Sequence, residues 1–279
     1  MRIVAPSTIR DAQDVLFLCR AFGARKTLDL DLSGVTWVSP LGVVAVLASA
    51  LSARAKNAQV GVELPRERTA RTYLHHIGFV AELVRQGFHP DGEPDVDDAY
   101  EVETCLPVAS LATPDAVEAA TRELFHELQR GHVPPGIFEK VMDLAVELTQ
   151  NAREHGSACY MVVQTHTGRT SRTPGVHVAV ADFGPGFATT LRALHGQMSD
   201  ADAIIKAFED RVSGTGNPER GFGLGYVRDS VDTHPDGELA ILSRTAVVTR
   251  RGGKFAMAAI NDFRGTVASA YFPYTPPKL

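Results

Sequence analysis

Glu147-Leu148-Thr149-Gln150-Asn151-Ala152-Arg153-Glu154-His155-Gly156 closes a long amphipathic stretch of the chain. Glu147, Asn151 and His155 recur every four residues, so on a helix they line one side about a turn apart. Apolar Phe138, Val141, Ala145, Leu148 and Ala152 recur at mixed threes and fours on the neighbouring face. Ordinarily a polar stripe beside a core stripe is a solvated helix face. What lies downstream decides whether this one is more.

Val- and Ala-rich strands are expected at residues 159–164 and 176–181, the second ending in Asp182-Phe183-Gly184-Pro185-Gly186. A polar, glycine-containing passage, residues 196–220, leads into Gly221-Phe222-Gly223-Leu224-Gly225 and a helix reaching about Val231. Three further strands are expected near residues 239–243, 254–259 and 266–272, with Gly237 and Arg251-Gly252-Gly253 as turn signals. Upstream, a strand is expected over residues 100–108. Thr113-Pro114-Asp115 then supplies an N-cap, a first-turn proline and an early acid for a helix to about Arg130. The pattern implies a mixed sheet with helices, unlike a repeated βαβ series.

Three tempting motifs fail on context. Asp182-Phe183-Gly184 matches the protein-kinase metal motif, yet no Val-Ala-Ile-Lys or His-Arg-Asp stretch precedes it. Gly221-x-Gly223-x-Gly225 is one residue short of the dinucleotide fingerprint and follows no first strand. Phe125-His126-Glu127-Leu128 is similar to the phospho-acceptor box of sensor histidine kinases but stands too close to Glu147 for a separate hairpin.

Order and spacing carry more weight. Glu147/Asn151 on a helix, Asp182/Gly184/Gly186 at a strand end, Gly221/Gly223/Gly225 entering a helix, and Gly265/Thr266 opening a late strand follow one another along the chain. This series resembles the Bergerat ATP-binding fold of the GHKL superfamily, which includes gyrase, heat-shock ATPases, histidine kinases and anti-sigma-factor serine kinases. The Asn-Ala-x-x-His-Gly form of residues 151–156 is most similar to the last of these.

The resemblance implies ATP and Mg²⁺ as ligands and a role for each box. Asp182 would accept the exocyclic amine of adenine, assisted by Thr266. Gly184 and Gly186 let the backbone approach the base without a Cβ clash. Asn151 offers an uncharged oxygen to Mg²⁺, a hard cation that keeps waters and bridges phosphates. Gly221, Gly223 and Gly225 would present backbone N–H groups to phosphates, backed by a helix N-terminus. Glu147 would act as general base on water or on a protein hydroxyl, an effect of about 10²–10⁴-fold. His155 is read as a helix-end cap or a hydrogen-bonding partner of the lid.

The first 88 residues read β-α-β-α-β-α. Leu28, Leu30 and Leu32 alternate with Asp29 and Asp31, helices are expected over residues 41–56 and 66–76, and a strand over residues 59–64. With Val35-Thr36-Trp37-Val38 leading into Pro40, this part resembles a STAS domain, the fold of anti-sigma-factor antagonists. Aligned on Gly42, the family's phosphorylatable serine falls on Pro40, which has no hydroxyl; Ser39 could serve only after a one-residue slip. Prolines and acids from His89 to Asp98 read as a linker.

The expected organisation is thus α/β in two domains: a STAS-like regulatory domain (1–88), a linker (89–99) and a Bergerat-type α/β sandwich (100–279). The chain has 279 residues, 44% hydrophobic and 22% charged, with 28 basic and 33 acidic residues for a net charge of −5. That balance argues against nucleic-acid coating and anionic-membrane binding. Three scattered cysteines, no legible secretory leader and no apolar run of about 20 residues lead to the expectation of a cytoplasmic protein. The functional expectation is a Mg²⁺-ATP-binding regulator that phosphorylates or switches a STAS-like or sigma-factor-like partner, with a homodimer left open. A non-kinase ATPase gated by its lid and a catalytically silent nucleotide-dependent module are the alternatives.

Overall fold

The computed structural model describes residues 1–23, 26–91, 104–154, 159–166, 173–209 and 223–275. The elements run β1 (Arg2–Val4), β2 (Thr8–Ile9), a 3-10 stretch (Asp14–Gly23), β3 (Thr27–Asp31), β4 (Trp37–Val38), α1 (Pro40–Arg54), β5 (Gln59–Glu63), α2 (Arg68–His76) and α3 (Phe79–Arg85). They continue with β6 (Thr104–Ser110), α4 (Pro114–Arg130), α5 (Pro135–Glu154), β7 (Cys159–His166), β8 (Gly175–Asp182), α6 (Phe187–His195), α7 (Asp200–Lys206), α8 (Gly223–Val231), β9 (Glu238–Arg251) and β10 (Lys254–Pro273). The molecule is a mixed α/β protein. No helix among the described residues is long and apolar enough to cross a membrane.

Two sheets organise it. A small parallel sheet has the order β1-β3-β5, and a five-stranded sheet has the order β6-β7-β8-β10-β9. Every neighbouring pair in the larger sheet is antiparallel, which corrects the expected mixed sheet. The strand-to-strand connections put consecutive strands side by side except where β10 inserts between β8 and β9.

Alternation along the strands sends side chains to two different cores. Cys159, Met161, Val163, Val176, Val178 and Val180 pack with Leu144, Leu148 and Val227 of the helices after residue 110. Tyr160, Val162, Ala179, Ala181, Leu242 and Val267 pack instead with α1 and the small parallel sheet. Helix α1 is therefore the layer between the sheets, and nearly all of it from Pro40 to Ala53 is buried. Its Ala/Val/Leu composition fits a helix enclosed on all sides. Small Ala179 and Ala181 leave room for it.

Consequently the parts before and after the expected linker share one continuous core. Residues 92–103, which hold most of that linker, lie outside the described residues. Further ties cross the same seam: Val108 N–H donates to Ile77 O at 2.8 Å, and Tyr73 Oη donates to Gln164 Oε1 at 2.9 Å.

Several other expectations change. The last three strands are two long ones, with β9 and β10 joined by Gly252-Gly253, both at positive φ, as a two-residue hairpin turn requires. The passage after residue 196 contains α7, capped by Ser199 Oγ on Asp202 N–H with Asp200 and Asp202 in its first turn. Those cap and charge signals are present in the sequence; the surrounding polar residues hid them. Residues 210–222, the remainder of the expected lid with Gly221, lie outside the described residues, as do His155 and Gly156.

Candidate functional site

Asp182 is the last residue of β8, and the sheet register places Cys159 beside it on β7 and Thr266 beside it on β10. Thr266 in turn stands beside Ser243 of β9. All four occupy the positions whose alternation faces the helices, so they form one polar row across one end of the sheet. The row exists because β8, β9 and β10 each end a valine-, leucine- or alanine-rich run on a polar residue at the same level.

The Asp182 carboxylate accepts from Gly184 N–H at 2.7 Å and from the Thr266 backbone N–H. Burial nevertheless dominates and pushes its pKa up to about 6, with those two donors opposing. The loop that follows is tight. Gly186 has φ +83, and a Cβ there would lie 2.6 Å from Arg244 Cγ and 2.9 Å from Ser243 Oγ. Gly265 has φ +107, and its Cβ would fall 1.9 Å from Asp182 O. At both positions a side chain is excluded by backbone shape and by space.

Ser243, Thr266 and Arg244 complete this corner. Ser243 is 1% exposed and Thr266 8%, and their hydroxyl oxygens are 3.3 Å apart. Arg244 adopts φ +52 between two register shifts, where the β9–β10 hairpin turns away from the sheet, and it pairs with Asp262 at 3.1 Å. The far part of the hairpin returns toward the loop before β9: Arg250 binds Asp232 through Nε at 2.9 Å and Nη2 at 2.5 Å. Ser243 and Arg244 are absent from the expected site. A serine at the next core-facing position after Leu239 and Ile241 was the available signal for the first.

Glu147 and Asn151 come to the same end of the sheet by chain connectivity. Helix α5 ends at Glu154, five residues before Cys159, the strand partner of Asp182. Asn151 Nδ2 donates to Glu147 Oε1 at 3.2 Å, confirming that the two share one helix side. With its amide nitrogen so engaged, Asn151 keeps Oδ1 as an available acceptor. Helix α8 packs on α5 and ends at the opposite side: Lys140 Nζ donates to Thr233 Oγ1 at 3.2 Å, and Thr173 Oγ1, just before β8, donates to Asp236 at 2.6 Å. The N-terminus of α8, with Gly223 and buried Gly225, therefore points back toward the Asp182 end.

Asp182, Gly184, Gly186 and Thr266 are thus gathered at one end of one sheet face, and chain connectivity and helix packing direct Glu147, Asn151, Gly223 and Gly225 toward that end. Gly221 lies outside the described residues. Among the described residues no group of three or more His, Cys, Asp or Glu is placed to hold a metal ion. A cation at Asn151 would accordingly need oxygens from its own ligand and from water, which suits Mg²⁺.

No protein-family model matches the chain, and no curated protein is similar enough to be matched with it.

Proposed function

We propose that the chain is a Mg²⁺-ATP-binding regulatory protein that phosphorylates or switches a protein partner. In this reading residues 100–279 form a Bergerat-type site resembling that of anti-sigma-factor serine kinases, and residues 1–88 are a STAS-like layer behind it. What supports it is the pairing of buried Asp182 with Thr266 at the sheet end, with Asn151 and Glu147 on one side of α5 and the N-terminus of α8 both directed toward that end.

Asp182 accepts the exocyclic amine of adenine while Gly184 and Gly186 admit the ring. Gly223 and Gly225 open a helix whose first-turn N–H groups, lacking partners within the helix itself, suit phosphate oxygens. Asn151 offers Oδ1 to the cation, and Mg²⁺ when bound neutralises phosphate charge. Glu147, one turn away, is placed to take the proton of an attacking hydroxyl.

The acceptor hydroxyl belongs to a partner rather than to this chain's STAS-like part. Ser39 is fully buried, and its Oγ accepts from Gly42 N–H at 3.2 Å as the N-cap of α1. Neighbouring Pro40 has no hydroxyl to modify. The STAS-like layer thus serves as scaffold or dock.

Titration with Mg²⁺-ATP tests the reading, with Asp182→Asn expected to weaken binding about 10- to 100-fold, the worth of a hydrogen bond to a charged group. Unchanged affinity removes the adenine assignment. Incubation with γ-labelled ATP and candidate partners then separates the outcomes: label on a partner supports the kinase, free phosphate an ATPase, and neither a silent binding module.

A further inference from the structure

The β9–β10 hairpin runs well past the other strands of its sheet. Strand β8 pairs with β10 only from Thr266 to Pro273, so from Lys254 to Ala259 β10 has β9 as its one strand neighbour among the described residues. The two-residue turn at Gly252-Gly253 makes Arg251 and Lys254 a hydrogen-bonded pair. Antiparallel pairs alternate, so Ala256 and Ala258 also bond to β9. The N–H and C=O groups of Phe255, Met257 and Ala259 therefore point to the open side. Among the described residues no backbone group bonds to them there.

Open strand edges are ordinarily blunted by charge, proline or a bulge. Phe255-Ala256-Met257-Ala258-Ala259-Ile260 has neither charge nor proline, and the first register shift comes only after Ala259. Met257 is 57% exposed. The pattern is also self-complementary. A second copy of the strand, antiparallel and turned about Met257, sets Met257 against Met257. It places Phe255 against Ala259 and Ala256 against Ala258, so that the largest ring meets a methyl group at both ends. The three outward residues of each strand then form hydrogen-bonded pairs, with no change in the hairpin. Exposed Lys254 comes opposite Ile260 of the other copy, two residues from its exposed Asp262, which sets opposite charges near each other at both ends. We propose that two copies of the chain join along this edge, as one continuous antiparallel sheet with its twofold axis at Met257. The inference is independent of the nucleotide reading above.

The test is the mass of the full chain in solution, by light scattering across a dilution series. The wild type is expected at twice the chain mass, falling toward one chain on dilution. Met257→Pro removes an outward N–H that the hairpin itself does not use, and Met257→Lys sets like charges face to face on the axis. Each should give the mass of one chain with an unchanged circular dichroism spectrum. Mild oxidation should link Met257→Cys to its own copy, since the Cα atoms of a hydrogen-bonded pair stand about 5.5 Å apart, within disulfide reach. Ala259→Cys, opposite Phe255, should link no more than the wild type. The mass of one chain at every concentration overturns the proposal, and so does a dimer that survives Met257→Lys. Should Met257→Pro not fold, Met257→Lys decides, its site being exposed. Linking through Ala259→Cys in place of Met257→Cys overturns the twofold axis.

Discussion

The two faces of the five-stranded sheet are buried to a similar degree yet are put to different uses. The face toward α4, α5 and α8 carries large aliphatic residues and ends in the polar row of Cys159, Asp182, Thr266 and Ser243. The face toward α1 carries Ala179 and Ala181 behind that same row, and its polar groups are spent on internal links. His177 Nε2 lies 2.7 Å from Ser269 Oγ, and Gln164 accepts from Tyr73. One face thus ends in a polar row, while the other uses polar groups for a link within the sheet and, through Tyr73, for holding the N-terminal layer. Asp182 and Ala181 are adjacent in the chain and opposite in role, because a strand alternates.

The comparison is broken most severely by removing one covering. Deleting residues 1–88 uncovers Tyr160, Val162, Leu242 and Val267 together, and the expected result is loss of soluble folded protein, followed by gel filtration and far-UV circular dichroism. The sequence alone leads to the opposite expectation, a detachable domain. A truncated chain that stays folded and binds ATP would show that the shared core is dispensable.

Next in size is Gly265→Ala, at the join of β10 and the Asp182 loop. The 1.9 Å approach to Asp182 O and the positive φ together imply a cost of about 3–5 kcal/mol, read by urea denaturation. Gly34→Ala, with open space around it, is the control and should change stability by less than about 1 kcal/mol.

The pH dependence of the site face comes third. Asp182 has a folded pKa of about 6, above its ordinary value of 3.8, so between those values the native state holds a proton that the unfolded state has lost. Its contribution is therefore destabilising at neutral pH and vanishes below about pH 4. Relative to wild type, Asp182→Asn should gain stability as pH rises from about 4 to 6, then level off, by about 3 kcal/mol at most. A difference flat across this range would contradict the burial argument. ATP binding to the wild type should strengthen across pH 6, since a protonated carboxyl loses an acceptor.

The smallest effect belongs to the other face. Tyr73→Phe removes the donor to Gln164, and about 1 kcal/mol of stability is expected to go with it, with ATP affinity unchanged. A shift in affinity would mean that the two faces communicate through β7.

Much of the local structure was legible. Thr113 caps α4 on Ala116 N–H with Pro114 in the first turn, Gly252-Gly253 turns the hairpin, and Glu147 meets Asn151 at helical spacing. These are interactions between residues at most four apart, which short-range stereochemistry governs. Ser243 was legible only as a core-facing serine; its partner was not, because only the pairing of β9 with β10 brings it to Thr266. Arg244 was hidden for a similar reason: its left-handed backbone follows from the hairpin's bend and not from residue type.

Local sequence marks the helix around Glu147–Asn151, the strand end at Asp182–Gly186 and the residue types that stand there. Tertiary structure alone shows that Asp182, Thr266 and Ser243 line up across one sheet end, that every pairing in that sheet is antiparallel, and that α1 covers its second face. The physical reason is that a sheet with two apolar faces must bury both. Local propensity can mark each face, but only the folded chain chooses which distant segment covers it.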